Sequence, residues 1–114
     1  PTTDAGVHLV LTSEWTDYRW GPLTGQQYKG LLDAQGAFWP TVQDVVQHAT
    51  PDEVEAEIRA QVEQAKAMGI LPTHLDSHMG TLFVTPAFLE RYAKVGMEYK
   101  IPILFPGGHA TLIA

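Results

Sequence analysis

The sequence contains no cysteine among its 114 residues. This absence excludes disulfide bonds, thiolate metal sites and a cysteine nucleophile, so any metal ion must be bound by His, Asp or Glu. Basic residues are scarce, because seven Lys and Arg stand against thirteen Asp and Glu and leave a formal net charge of −6. Nucleic-acid affinity depends on basic side chains that neutralise phosphates, so we expect no nucleic-acid partner.

Long apolar runs are also missing. No window approaches the roughly 18 consecutive apolar residues of a membrane span, and the first residues, Pro1 to Asp4, lack the basic and apolar regions of a signal peptide. We therefore expect a cytoplasmic protein with no membrane partner. The chain begins without Met and ends on the apolar run 110–114, which favours a single segment, residues 1–114, of a larger domain.

Short apolar segments alternate with amphipathic helices along the chain. Strands are predicted at residues 6–12, 73–78 and 101–105. The helices between them run from about 51 to 68 and from about 86 to 100. This alternation predicts an α/β fold with parallel strands and outer helices, either part of a (β/α) barrel or an open α/β sheet.

Both predicted helices carry clear start signals. Thr50, Pro51 and Glu53 form a capping box, and Thr85 with Pro86 repeats the same device. The first helix has one apolar stripe, while its charged residues are expected mostly to face water; the stripe comprises Val54, Ile58, Val62, Ala65 and Met68, and the charged residues include Glu55, Glu57, Arg59, Glu63 and Lys66. The inner side of the second helix is expected to carry Leu89, Tyr92, Ala93, Gly96 and Tyr99.

The strand at 73–78 carries three ionisable residues at alternate positions, His74, Asp76 and His78. Side chains alternate between the two faces of a strand, so all three are expected on one face. Active sites of α/β folds lie at the carboxyl ends of the strands, which favours His78 as a metal ligand and places His74 and Asp76 deeper in the catalytic site. A carboxylate beside a ligating histidine commonly orients it. The alternative is a buried hydrogen-bond network without a metal ion.

His8 lies in the apolar strand at 6–12. A lone histidine in such a strand is more often a core residue than a ligand, but a second strand with histidines strengthens the case for a shared site. Imidazole and carboxylate ligands suit zinc and its neighbours, or magnesium where water fills most positions.

Residues 13–40 form a long segment rich in aromatic residues and punctuated by Gly and Pro. Trp15 and Trp20 follow the strand of His8 closely, so they are candidates to form a wall of the site and to contact its substrate. Ordinary packing is the alternative. His109, after two glycines, is a further candidate substrate contact or an ordinary surface residue.

Two motifs carry a resemblance to a known family. Gly6-Val7-His8-Leu9-Val10-Leu11-Thr12 and Pro72-Thr73-His74-Leu75-Asp76-Ser77-His78 resemble the internal motifs of the YdjC-type carbohydrate deacetylases. The resemblance extends over nearly the whole chain, including Trp20-Gly21-Pro22 and Phe38-Trp39-Pro40. It implies one divalent metal ion, zinc or magnesium, with His8 and His78 as ligands, and an N-acetylated sugar as substrate. A homodimer is a candidate assembly.

The sequence departs from the family pattern in two ways. The Asp-Asp motif that supplies a further ligand and the general base should precede the first strand, and the isolated Asp4 does not match it. The second motif often continues with a histidine two places on, where this sequence has Met79-Gly80. The resemblance implies a reaction in which a metal-activated water attacks the acetamide carbonyl and releases acetate. The alternatives are a hydrolase of another amide or a phosphoester, and a non-catalytic sugar-binding domain.

Overall fold

The structure is a computed structural model that describes residues 6–14, 19–70, 72, 74–77, 81–82, 85–104 and 110–111. For Asp76, Leu104, Ala110 and Thr111, which lie in strands, the backbone is described but the side chains are not. The chain is a mixed α/β fold with parallel strands and helices, as the sequence predicts.

The described strands are β1 (Gly6–Leu9), β2 (His74–Ser77), β3 (Ile103–Leu104) and β4 (Ala110–Thr111). They form one sheet in the order β1-β2-β3-β4. Pairing is parallel between β1 and β2 and between β2 and β3, whereas β4 is antiparallel to β3. Sequence analysis did not predict this antiparallel addition.

The described helices are α1 (Val42–His48), α2 (Pro51–Ala67) and α3 (Pro86–Tyr99). At the start of α2, the Thr50 side chain accepts a hydrogen bond from the Glu53 N–H, and the Glu53 side chain reciprocates at the Thr50 N–H. This is the predicted capping box. The helix stops before Gly69, whose φ of +86° is a left-handed conformation that glycine adopts without strain.

Thr85 caps α3 by accepting a hydrogen bond from the Phe88 N–H. This helix ends at Lys100, which takes up the left-handed conformation that glycine more often supplies. Sequence analysis missed α1, a short helix that Thr41 caps through the Asp44 N–H. The segment at residues 13–40, predicted as an ordered loop with one helical turn, contains a 3-10 turn at Lys29–Leu31.

The core lies between the strands and the pair α2 and α3. Leu9, Leu75 and Ile103 are buried on successive strands. The helices cover them with residues that are also buried, namely Val54, Ile58, Val62, Phe88, Tyr92 and Val95. This packing confirms most of the predicted stripe of α2, and it adds Phe88 and Val95 to the predicted inner side of α3.

Two expectations about α2 were wrong. Met68 is 66% exposed, because it lies at the C-cap, beyond the last helical residue Ala67. Glu57, expected to face water, is completely buried. Its carboxylate is buried because it accepts hydrogen bonds from a neighbouring loop, which is how a protein tolerates a buried carboxylate.

The first strand is shorter than predicted and ends at Leu9. At Val10, directly after the strand, both backbone groups bond to the side chain of Gln61 on α2. No helix among the described residues is long and apolar enough to cross a membrane.

Candidate active site

His8 projects from the face of β1 that the helices leave uncovered. Its side chain is exposed, whereas Leu9 and Leu11 on the opposite face have no exposed surface. This alternation is the period of two expected for a strand. The apolar residues fix the strand to the helices and direct His8 away from the core.

The pairing of β1 with β2 places His8 beside the second motif. His8 and Asp76 are Cα partners, with Gly6 opposite His74 and Leu9 opposite Ser77. Neighbouring strands lie about 4.8 Å apart in a sheet. Residues of the two predicted motifs therefore occupy adjacent positions of one sheet, although they are far apart in sequence.

The second motif is described only in part. His74 is half-buried, and Leu75 is buried against the helices. Ser77, the last residue of β2, accepts a hydrogen bond through Oγ from the Leu82 N–H at 3.1 Å. This bond ties the carboxyl end of β2 to the buried residues Thr81 and Leu82. His78 follows directly after β2 but lies outside the described residues, as do Trp15 and His109.

Two residue types that can bind divalent metal ions are paired where β1 runs beside β2. An exposed imidazole at His8 stands in register with a carboxylate-bearing residue on the adjacent strand, and zinc and related ions accept both kinds of ligand. Among the side chains that the structure describes, no three His, Asp or Glu residues cluster closely enough to hold a metal ion. Of the two predicted ligands, only His8 belongs to that part of the chain.

Trp20 is held in place by the end of the first motif. Its indole Nε1 donates a hydrogen bond to the Thr12 carbonyl at 2.8 Å, and its backbone N–H donates to Ser13 Oγ at 3.1 Å. The ring is half-buried and packs against the core. Packing therefore accounts for much of its surface, and its contact with substrate stays a prediction.

Arg19, next to Trp20, organises the loop. Its guanidinium donates to Asp33 Oδ2 at 2.7 Å and to the Phe38 carbonyl at 2.6 Å. Burial by itself would raise the pKa of the Asp33 carboxyl, but hydrogen bonds from the backbone N–H groups of Gln35 and Ala37 and from Arg19 outweigh it and lower that pKa. Residues 19–38 thus form an ordered loop that hydrogen bonds and an ion pair hold together.

Sequence analysis missed Glu57 and Gln61, one turn apart on α2. Glu57 accepts hydrogen bonds from the backbone N–H groups of Leu23 and Thr24, from the Thr24 hydroxyl and from Gln61 Nε2. Gln61 in turn bonds to Val10. A charged residue and an amide on a long helix carry no local signal of burial, because their partners lie more than thirty residues away in sequence.

Comparisons with known proteins agree with these observations. A protein from Thermus thermophilus named carbohydrate deacetylase is 41% identical over 103 residues, which cover 90% of this chain and 38% of that protein. One from Brevibacillus brevis with the same name is 37% identical and covers 93% of this chain and 39% of its own length. The chain thus spans about two fifths of these relatives.

A crystal structure from Enterococcus faecalis V583 has a similar fold, with a TM-score of 0.81 at 26% identity, over 92% of this chain and 39% of that one. That protein is described as a candidate cellobiose-phosphate cleavage protein. The family model described as YdjC-like protein matches residues 1–113. By this match and by its identity to the Thermus protein, the chain belongs to the family of YdjC-like proteins.

Proposed function

We propose that the protein is a metal-dependent hydrolase that removes acetyl groups from N-acetylated amino sugars. The observation that carries the proposal is the exposed His8 in register with the second motif, on a sheet face that the described helices do not cover. The names of the two relatives, at 41% and 37% identity, support a carbohydrate deacetylase. Residues 1–114 would form one segment of a larger (β/α) barrel-like catalytic domain.

His8 and His78 would bind one divalent metal ion, zinc or magnesium. Such an ion, when bound, polarises a carbonyl oxygen and lowers the pKa of a water molecule. In this proposal the remaining ligand and the general base are not among residues 1–114. This chain does not contain the Asp-Asp motif, and it spans about two fifths of the relatives.

The chain's own residues have more limited tasks in this proposal. Leu9 and Leu75 hold the two strands against the helices, so that the imidazole of His8 is presented on the open face. His74 and Asp76 would hold protons and orient the ligating imidazoles, as carboxylates beside metal-binding histidines do. Trp15, Trp20 and His109 would bind the sugar and limit the access of water.

Acetate release from defined sugars tests the proposal. The protein is expressed from its whole gene and is called the gene-encoded protein below. It is stripped of metal with a chelator, reloaded with Zn²⁺ or Mg²⁺, and incubated with N-acetylglucosamine and its β-1,4-linked dimer. We expect acetate release that the chelator abolishes and one of the two metals restores. Acetate release that is unaffected by chelation, or none with any metal or sugar, would contradict the proposal.

A phosphorylated disaccharide is the second candidate substrate, because the solved relative from Enterococcus faecalis is described by cleavage of cellobiose phosphate. The same metal-loaded protein is incubated with cellobiose 6-phosphate; glucose and glucose 6-phosphate would report cleavage of the glycosidic bond, and cellobiose and inorganic phosphate would report cleavage of the phosphoester. Product from this substrate, without acetate from the acetylated sugars, would favour this alternative over deacetylation.

A further inference from the structure

The side-chain amide of Gln61 binds the backbone of Val10 in the manner of a neighbouring strand. Its Oε1 accepts a hydrogen bond from the Val10 N–H at 2.9 Å, and its Nε2 donates to the Val10 carbonyl at 2.7 Å. One residue's N–H and C=O are thus both satisfied by one side chain. We propose that Gln61, held by Glu57, is a positioning residue for His8; the inference rests on the proposed role of His8 as a metal ligand.

Glu57 fixes the orientation of the Gln61 amide. The carboxylate is completely buried and accepts a hydrogen bond from Gln61 Nε2 at 2.8 Å. Because a carboxylate only accepts hydrogen bonds, it requires the NH₂ group of Gln61 on its side. The amide oxygen is then directed to the Val10 N–H, and a flipped amide would lose all three bonds, the two to Val10 and the one to Glu57.

The same carboxylate is anchored on its other side by the loop. It accepts hydrogen bonds from the Leu23 N–H at 3.0 Å and from the Thr24 N–H and hydroxyl at 3.1 and 2.9 Å. Four donors therefore converge on one buried group. A fully satisfied buried network of this kind is rigid, because any displacement leaves a polar group unpaired.

Val10 is the residue through which this network reaches His8. Val10 directly follows β1 and lies two positions after His8, while Leu9 and Leu11 on either side of Val10 are fully buried. Packing of the two leucines fixes the distance of the strand from α2. The two bonds to Val10 fix its position along the strand and its twist, and hence the direction of the His8 side chain.

Positioning of this kind should change the affinity of the site for its metal ion by a measurable factor. Groups that orient metal ligands without touching the metal typically contribute 10- to 100-fold to metal affinity. A methionine at position 61 keeps the length and helix preference of glutamine but forms neither bond to Val10. We therefore expect Gln61→Met to raise the dissociation constant of the metal at least about tenfold.

The experiment uses the gene-encoded protein and three variants. Gln61→Met removes the amide, and Gln61→Asn keeps it but withdraws it by one methylene. Gln64→Met is the matched control, because Gln64 is an exposed residue of the same helix. Metal dissociation constants are measured by competition with a fluorescent chelator, and the ¹H–¹³C signal of the His8 imidazole is recorded in the metal-free state.

The two readouts separate the inference from the proposed function. Weaker metal binding together with a shifted His8 signal in the Gln61 variants, and neither change in Gln64→Met, supports the inference. Dissociation constants within twofold of the unsubstituted protein, or a change without any shift at His8, overturn it.

If the unsubstituted protein binds no metal, the proposed function fails and the His8 signal alone decides: a shift in the Gln61 variants supports positioning, and an unchanged signal overturns it. Where Gln61→Met does not fold, Gln61→Asn is the deciding variant. Loss of folding in both would make Gln61 a residue of stability and overturn the inference.

Discussion

His8 and Asp76 are Cα partners in the parallel pairing of β1 and β2. The pairing joins two motifs that are more than sixty residues apart in sequence and are separated by α1 and α2. Leu9 and Leu75 lie buried on the opposite face, so a shift of one residue in either strand would bury a histidine and expose a leucine. The hydrophobic core therefore determines which residues meet at the candidate active site.

Replacing Glu57 with leucine should destabilise the protein strongly. The substitution leaves the donors on Leu23, Thr24 and Gln61 without their buried acceptor. Each unsatisfied buried group costs about 1–3 kcal/mol, so we expect the free energy of unfolding to fall by at least about 3 kcal/mol. Urea unfolding of the gene-encoded protein measures it.

Glu90→Leu is the control for Glu57→Leu, because Glu90 is exposed on α3. Its effect should stay within about 0.5 kcal/mol, as is usual for surface substitutions. Equal effects of the two substitutions would show that the buried network contributes little.

Tyr92 joins α3 to the middle of β2 through its hydroxyl, which donates to the Leu75 carbonyl at 2.8 Å in a fully buried environment. Tyr92→Phe removes this bond but keeps the ring, so we expect a loss of about 1–2 kcal/mol in the free energy of unfolding. Tyr28→Phe is the control, since the Tyr28 hydroxyl accepts its hydrogen bond from the exposed side chain of Gln27. Urea unfolding that gives no difference between the two variants would contradict the assignment.

Glu55 should make the stability of the protein depend on acid. Burial by itself would raise the pKa of this carboxyl, but hydrogen bonds from Arg59 and Arg91 and the positive charges of Arg59 and Lys94 outweigh it, so the pKa lies below the ordinary value of 4.5. The stabilisation is therefore complete above that value and is lost as the pH falls through the lower pKa of the folded state.

The pH dependence is measured as the urea midpoint between about pH 6 and pH 3. Glu55→Gln should reduce the decline below about pH 4.5, because the substituted residue no longer titrates. Glu90→Gln, at an exposed position of α3, should leave the decline unchanged. An identical decline in Glu55→Gln and in the unsubstituted protein would be evidence against the ion pairs between α2 and α3.

Local signals predicted the helices well. Thr50, Pro51 and Glu53 specify the start of α2 within one turn of chain, and Thr85 with Pro86 does so for α3. The short helix α1 was missed because its three valines favour strands and its cap at Thr41 is followed by no extended apolar stripe. The nearly continuous apolar run around His8 predicted the strand but not the face of His8, which is exposed while Leu9 and Leu11 are buried.

Contacts between distant residues could not be predicted in this way. No residue near Glu57 in sequence indicates that its carboxylate accepts a hydrogen bond from Thr24. Val10, directly after the end of β1 at Leu9, bonds to Gln61, 51 residues later in the chain. For the candidate site, the register of His8 with Asp76 gives physical support to the predicted neighbourhood. The roles of His74, His78, Trp15, Trp20 and His109 stay predictions.

The central claim is that His8 binds the metal ion, and the metal content of His8→Ala tests it most directly. His48→Ala is the matched control, because His48 is also an exposed histidine but lies on α1, away from the candidate site. Its ring stacks on Trp39, with ring centroids 4.0 Å apart. Elemental analysis of the purified gene-encoded protein should find the metal lost from His8→Ala and retained in His48→Ala. Metal retained in full by a folded His8→Ala would contradict the account.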